Sequence, residues 1–353
     1  ARALGTPVVT VGPTRYHDRL AKTAGFARAG VGAPSSRRLV RLLRSESRAH
    51  RVEPAARRSL ADEIVRLAVP AGRGCPVHHE FGRALWRSAE KSYFACPRCG
   101  LVYLERFADD DETYGPEYFM EEYRAQYGKT YLEDFEHIYT MGTRRLDRAL
   151  DVAREAPETV LDIGCAYGPF LAAARDRGLT AYGLDVAEDA VEYVRTSLGL
   201  PAACASILDF SPSDAFGREA FDLVTLWYVI EHFARLDLLL PRLATLVRPG
   251  GVLAFSTPYG AGVSARRNTS SFYDASPRDH YSIWNKSSTR RILEEFGFTV
   301  RRFEMTGHHP ERYPAVRRGI IPRALAAAHS SVFGRGDTFE VYATKERSWT
   351  VPS

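Results

Sequence analysis

Four residues early in the chain have the types and spacing of a metal centre. Cys75, His78, Cys96 and Cys99 read Cys-x2-His-x17-Cys-x2-Cys. Each pair puts two donors on one tight knuckle, and a chain returning after seventeen residues brings the second knuckle to the first. Four nitrogen and sulfur donors then close a tetrahedron, the geometry of zinc. Gly100 follows Cys99, where a knuckle turn often needs positive φ. The Cys-Pro-Arg-Cys-Gly half is the more specific; in the other half His79 competes with His78. A redox or free cysteine pair is the competing reading. With four protein donors the zinc would be structural rather than catalytic. A reducing, cytoplasmic compartment is expected for such cysteines. Cys165 and Cys204 read as small buried side chains, not nucleophiles.

A second constellation lies further on. Val160-Leu161-Asp162-Ile163 is a strand-like run that enters Gly164-Cys165-Ala166-Tyr167-Gly168, a Gly-rich turn that opens a helix. Open α/β sheets bind their ligand at such a turn. A dinucleotide fingerprint needs glycine where Pro169 stands, and a P-loop needs a Lys-Ser/Thr that does not follow. The reading left is a loop for S-adenosylmethionine (SAM). Asp185 ends the next strand, twenty-one residues after Gly164, and can accept hydrogen bonds from both ribose hydroxyls. Its alternative role is a helix N-cap. Two histidines are candidate bases: His232 after a later strand, where it could instead cap the next helix, and His280, flanked by Asp279 and Tyr281 in a long loop. Imidazole titrates in the right range for that work.

These residues need elements to position them. Thr159–Ile163, Thr180–Leu184, Ala202–Ala205, Phe221–Leu226, Val252–Ser256, Phe298–Phe303 and Thr338–Thr344 read as strands. Gly168–Arg177, Ala187–Leu198, Leu236–Val247 and Ser287–Phe296 read as helices, the last closed by Gly297. Such alternation makes an α/β fold with a parallel, doubly wound sheet. Residues 1–70 form a basic arm, partly helical or disordered, and 71–105 a ribbon. Residues 106–142 form a tyrosine-rich helical lid, in which Tyr123, Tyr127 and Tyr131 recur at helical spacing. The core spans 143–346, with an insertion at 306–336, and 347–353 is a tail.

The core resembles the class I, Rossmann-like, SAM-dependent methyltransferases. Asp162-Ile163-Gly164-Cys165-Ala166-Tyr167-Gly168 stands where that family has D-x-G-x-G-x-G, with Ala166 replacing the middle glycine. Asp185-Val186 stands at its ribose-binding acid, Ser206-Ile207-Leu208-Asp209 at its adenine pocket, and Phe221 through Glu231-His232 at its fourth-strand motif. Leu246-Val247-Arg248-Pro249-Gly250-Gly251 resembles the fifth-strand motif. The resemblance implies a seven-stranded, mostly parallel sheet and a SAM site of Asp162, Gly164, Cys165, Ala166, Tyr167, Gly168, Asp185, Val186, Ser206, Ile207, Trp227 and Tyr228. Aromatic faces such as Tyr167, Trp227 and Tyr228 could border a sulfonium. With its Cys-x2-Cys-Gly knuckle and tyrosine-rich segment, the chain is similar to bacterial enzymes of small-molecule or sugar biosynthesis. That implies methyl transfer to a hydroxyl with His232 or His280 as base.

Composition narrows the alternatives. The net charge of +5 comes from residues 1–70, which hold 14 Lys and Arg against 5 Asp and Glu; the remainder is slightly acidic. The basic balance therefore argues only weakly for nucleic acid. An RNA methyltransferase remains the alternative, although Leu226-Trp227-Tyr228-Val229 stands where an Asn-Pro-Pro-Tyr-type motif would serve base amines. No apolar run reaches the ~18–20 residues of a membrane span, and no secretory pattern opens the sequence. The expected partner is a small-molecule acceptor, with no membrane; the oligomeric state stays open.

Overall fold

The computed structural model describes residues 9–10, 27–28, 74–88, 91–106, 123–124, 128–307, 319–320, 322, 325 and 336–346. Apart from the positions just given, the arm at 1–70, most of the lid and the insertion at 306–336 lie outside these. In the arm, strands β1 (Val9–Thr10) and β2 (Ala27–Arg28) pair in parallel.

Strands β3 (Arg83–Arg87), β4 (Lys91–Ala95) and β5 (Val102–Arg106) form an antiparallel meander around the two knuckles. Helix α1 (Phe135–Val152) follows, as one unbroken element from lid to core. Its buried residues Ile138, Gly142, Arg145, Leu146 and Ala149 recur at helical spacing and face the sheet. Tyr131 lies in the turn before this helix, so it does not share a continuous helix with Tyr123. Residues 128–130, between them, are not helical.

The chain then alternates. Strand β6 (Thr159–Ile163) is buried at every residue, as a central parallel strand must be. Helix α2 (Pro169–Asp176), strand β7 (Thr180–Asp185), helix α3 (Glu188–Thr196) and strand β8 (Ala202–Cys204) follow. Next come helix α4 (Pro212–Phe216), strand β9 (Phe221–Trp227), helix α5 (Leu236–Leu246) and strand β10 (Val247–Pro258). The sequence places a break at Pro249-Gly250-Gly251; the structure starts β10 earlier, at Val247, and absorbs these residues as an irregularity between Val247 and Val252. A Cβ on Gly251 would sit 2.8 Å from the Asp222 carbonyl oxygen, so that close passage needs glycine.

The loop expected after β10 holds two short helices, α6 (Val263–Arg267) and α7 (Thr269–Ala275), and strand β11 (Ser282–Ile283). Helix α8 (Lys286–Glu295), opened by an Asn285–Ser288 capping box, leads to β12 (Phe298–Thr306) and β13 (Thr338–Lys345). Among the described residues the main sheet has seven strands in the order β8-β7-β6-β9-β10-β13-β12. It is the expected doubly wound sheet, and β13 runs antiparallel to both neighbours. Strand β11 joins the other sheet, pairing with β5.

The ribbon and the sheet share one core. Cys75, Val77, Cys96, Cys99, Leu101 and Tyr103 pack in the same buried cluster as Leu226, Ile230, Leu239 and Trp284. On the other face, Arg145 and Arg148 of α1 pair with the two carboxylate oxygens of Glu340 on β13, at 2.9 and 2.8 Å, and the Tyr342 hydroxyl donates to it at 2.7 Å. Removing the carboxylate leaves a buried guanidinium uncompensated. Glu340→Ala is therefore expected to cost about 3–5 kcal/mol of stability, read from the urea midpoint at unchanged slope.

Candidate functional site

The knuckles are built alike. The Cys75 carbonyl accepts from the His79 N–H at 2.8 Å, and the Cys96 carbonyl from the Gly100 N–H at 3.0 Å. The fifth residue of each is left-handed, φ 77° at Gly100 and 56° at His79. The Cys75 and Cys99 sulfurs are 3.9 Å apart, and His78 Nδ1 lies 3.7 Å from the Cys75 sulfur and 3.8 Å from that of Cys96. These are close to the edges of a tetrahedron with ~2.3 Å metal–sulfur bonds, so the donor set fits zinc. His79, the competing donor, points away to Asp237 Oδ2 at 3.0 Å. His78 Nε2 contacts Glu295 Oε2 of α8 at 3.0 Å, which orients the ring so that Nδ1 faces the cysteines.

The Gly-rich turn lies at the carboxyl end of β6. Gly164, Ala166 and Gly168 all have positive φ, at 72°, 46° and 76°. Ala166 keeps the left-handed turn at the cost of strain that glycine would avoid. Asp185 lies beside this turn: Oδ2 accepts the Ala166 N–H at 2.7 Å and Oδ1 the Ala187 N–H at 2.9 Å. It braces the loop rather than capping α3, whose N-cap is Ala187. Burial raises its pKa, and these two N–H groups work against that. Each oxygen keeps a lone pair for a further donor. Val186 beyond it is exposed, Ser206 is half-buried, and Ile207 is turned into the core.

Tyr131 covers the turn. Its ring centroid is 6.0 Å from that of Tyr167 and 5.1 Å from that of Tyr123. The Tyr167 hydroxyl donates to Asp189 at 2.5 Å. Beneath, Asp162 is buried, accepts from the Thr225 hydroxyl at 2.6 Å, and is pushed up to about 7 by burial, against Thr225 and Arg145. Trp227 carries the Arg145 guanidinium over its ring at 4.5 Å, so one of its faces is already taken. Tyr228 is partly exposed and left-handed, φ 60°, an uncommon conformation that aims the chain after β9. Cys165 is buried as expected. Cys204 is not: it is exposed because β8 is the edge strand.

The two candidate bases come together. His232, in a 3-10 turn after β9, places Nδ1 2.8 Å from Asp279 Oδ2, and its ring centroid is 4.8 Å from that of His280. It does not cap α5, whose N-cap is Arg235. Burial would raise the Asp279 carboxyl, but His232 beside it outweighs burial and holds it at about 2. Burial and then the nearby His232 lower His280 to about 4. Asp279 and Glu231 complete the group. Glu231 is buried, and neither of its carboxylate oxygens finds a well-formed hydrogen bond among the described residues. Burial pushes it up to about 7. Glu231, His232 and His280 offer donor atoms within 4.8 Å of one another, a group able to share protons or a cation. The sequence shows Glu231 only as the neighbour of His232, and its burial in this group is what marks it as part of the site.

Residues 132–302 match the family described as a methyltransferase domain. The ubiquinone biosynthesis O-methyltransferase of Chromobacterium violaceum is 30% identical over 129 residues, covering 35% of this chain and 54% of that protein. The enzyme of the same name from Stutzerimonas stutzeri is 30% identical over 130 residues, again 35% and 54%. The chain thus spans about half the length of the curated relatives it matches. The crystal structure of a SAM dependent methyltransferase from Archaeoglobus fulgidus covers 64% of this chain and 99% of its own, at 18% identity and a TM-score of 0.45.

Two outcomes follow from the site. Glu295→Gln weakens the hold on His78 and should speed metal transfer to a chromogenic chelator about 10–100-fold. Glu231 keeps its proton up to about pH 7 when folded, whereas the unfolded chain releases it above about pH 4.3. Stability should fall as pH rises through that window, and Glu231→Gln should flatten the fall in Tm against pH.

Proposed function

We propose that this chain, whose residues 132–302 match a methyltransferase-domain family and build a doubly wound sheet, moves a methyl group from SAM to a hydroxyl of a small-molecule acceptor. The acceptor in this reading is a sugar or a natural-product intermediate. The observation that carries it is the placement of the braced Gly164–Gly168 turn and the His232–Asp279 pair on the same edge of one parallel sheet. The names of the curated relatives, O-methyltransferases, support a hydroxyl as the acceptor.

SAM, when bound, supplies an electrophilic methyl on a sulfonium. The Gly164–Gly168 turn and Asp185 would hold it, with Val186 and Ser206 beside the adenine. Tyr131, over the turn, excludes water from that side. Bringing acceptor and donor into line supplies much of the rate enhancement. A hydroxyl must lose its proton as it attacks, and in this reading His232 takes it at Nε2. Asp279 faces Nδ1, where it orients the ring and stabilises the imidazolium that forms. His280, lowered to about 4, stays neutral beside it and adds no competing charge. Zinc held by Cys75, His78, Cys96 and Cys99 would act only on structure, since protein fills all four positions.

The reading is tested by calorimetric titration with S-adenosylhomocysteine. Wild type should bind, and Asp185→Ala should bind at least about tenfold more weakly. An absence of binding by wild type would sink the proposal. Methyl-labelled SAM, incubated separately with metabolite extract and with RNA, should label a small molecule; label in RNA alone favours the other substrate class. With the acceptor in hand, His232→Ala should lower turnover about 10²–10⁴-fold and leave S-adenosylhomocysteine affinity unchanged.

A further inference from the structure

We propose that Lys91, on the metal-binding ribbon, is a positioning residue for the acceptor side: together with β11 it holds the segment from Ser276 to Ile283 at both ends and so places Asp279 and His280 beside His232. The inference rests on the assignment of His232 and Asp279 to the acceptor proton.

At the near end, Lys91 is buried, and its ammonium donates to the carbonyls of Asp274, at 2.9 Å, and of Ser276. These are the last carbonyls of α7, a place where a cation is favourable and where orphan acceptors need donors. Burying an ammonium is costly, and its contacts show what the cost secures. Aromatic packing holds the same helix to the ribbon. Tyr93 stacks on Tyr273 of α7 at 4.8 Å, and Trp86 leans on both, at 6.1 and 6.3 Å.

At the far end, the Tyr281 carbonyl accepts the Leu104 N–H at 3.0 Å, and Ser282 and Ile283 pair with Tyr103 and Val102. The Tyr281 N–H donates to the Glu231 carbonyl at 2.8 Å, tying this end to the turn that carries His232. Between the two anchors lie Pro277, Arg278, Asp279 and His280. So short a span leaves Asp279 and His280 little freedom once both ends are held. The charge of Lys91 also acts on His280, and together with His232 it opposes protonation there while Asp279 favours it.

The test compares wild type with Lys91→Met and Lys91→Arg. Hydrogen exchange at Tyr281–Ile283 should rise at least tenfold in Lys91→Met, while β6 stays protected and S-adenosylhomocysteine affinity stays within twofold. The His280 ring resonance, followed against pH by NMR with ¹³C-labelled histidine, should titrate at higher pH in Lys91→Met. Its neighbours His232, Asp279 and Glu231 are unchanged in that variant. Lys91→Arg should restore both readouts. Should Lys91→Met fail to fold, Lys91→Gln, which keeps a donor without the charge, gives the same comparison. Unchanged exchange together with an unchanged His280 titration would overturn the proposal. Failure of wild type to bind S-adenosylhomocysteine would sink the methyltransferase reading alone, because exchange and titration need no ligand.

Discussion

The register of three parallel strands governs the placement of every candidate group on the main sheet. Ile163 of β6 is paired with Leu184 of β7 on one side and with Leu226 of β9 on the other. The next residues along are therefore Gly164, Asp185 and Trp227, level with one another at the carboxyl edge. A slip of one residue would turn each side chain to the opposite face. Asp162 resists such a slip, since it would carry the buried carboxylate away from the Thr225 hydroxyl opposite it. The turn, the acid that braces it and the chain that leads to His232 follow from this pairing.

Electrostatics divides the edge into two environments. Asp162 and Glu231 are carboxyls that burial holds near pH 7, while Asp279, also buried, stays ionised because His232 faces it. Similar residues with opposed environments are how one site keeps a proton at one place and a negative charge at another. The ribbon takes part in this division. Its sheet ends in β11, which begins two residues after His280, and its cysteines share a core with Leu226 and Ile230. The Cys-His knuckles thus pack against the elements that carry His232 rather than standing as a separate module.

Local patterns were legible in the sequence, and long-range pairings were not. The Gly164–Gly168 turn, Asp185 and the Cys-His spacing each sit within a short window, where turn chemistry and periodicity speak directly. The strands of the main sheet are legible nearly in full because their apolar runs are bounded by turns. Strand β11 escaped because two residues, Ser282 and Ile283, carry no alternation; it exists only because β5 offers an edge. Arg145 and Glu340 are 195 residues apart, and Lys91 meets Ser276 across 185, so no window shows either pair. Cys204 looked like a core residue by type, but strand order, which made β8 an edge, decided its exposure. The tyrosines at 123 and 131 promised one helix; the turn before α1 instead sets Tyr131 over the Gly-rich loop.

Donor and acceptor are proposed to meet at one edge of the sheet, between Asp185 and the His232–Asp279 pair. A crystal structure of the chain with S-adenosylhomocysteine should show the ribose hydroxyls on Asp185 and the sulfur turned toward His232. The ligand bound elsewhere, or with its sulfur facing away from His232, would overturn this reading.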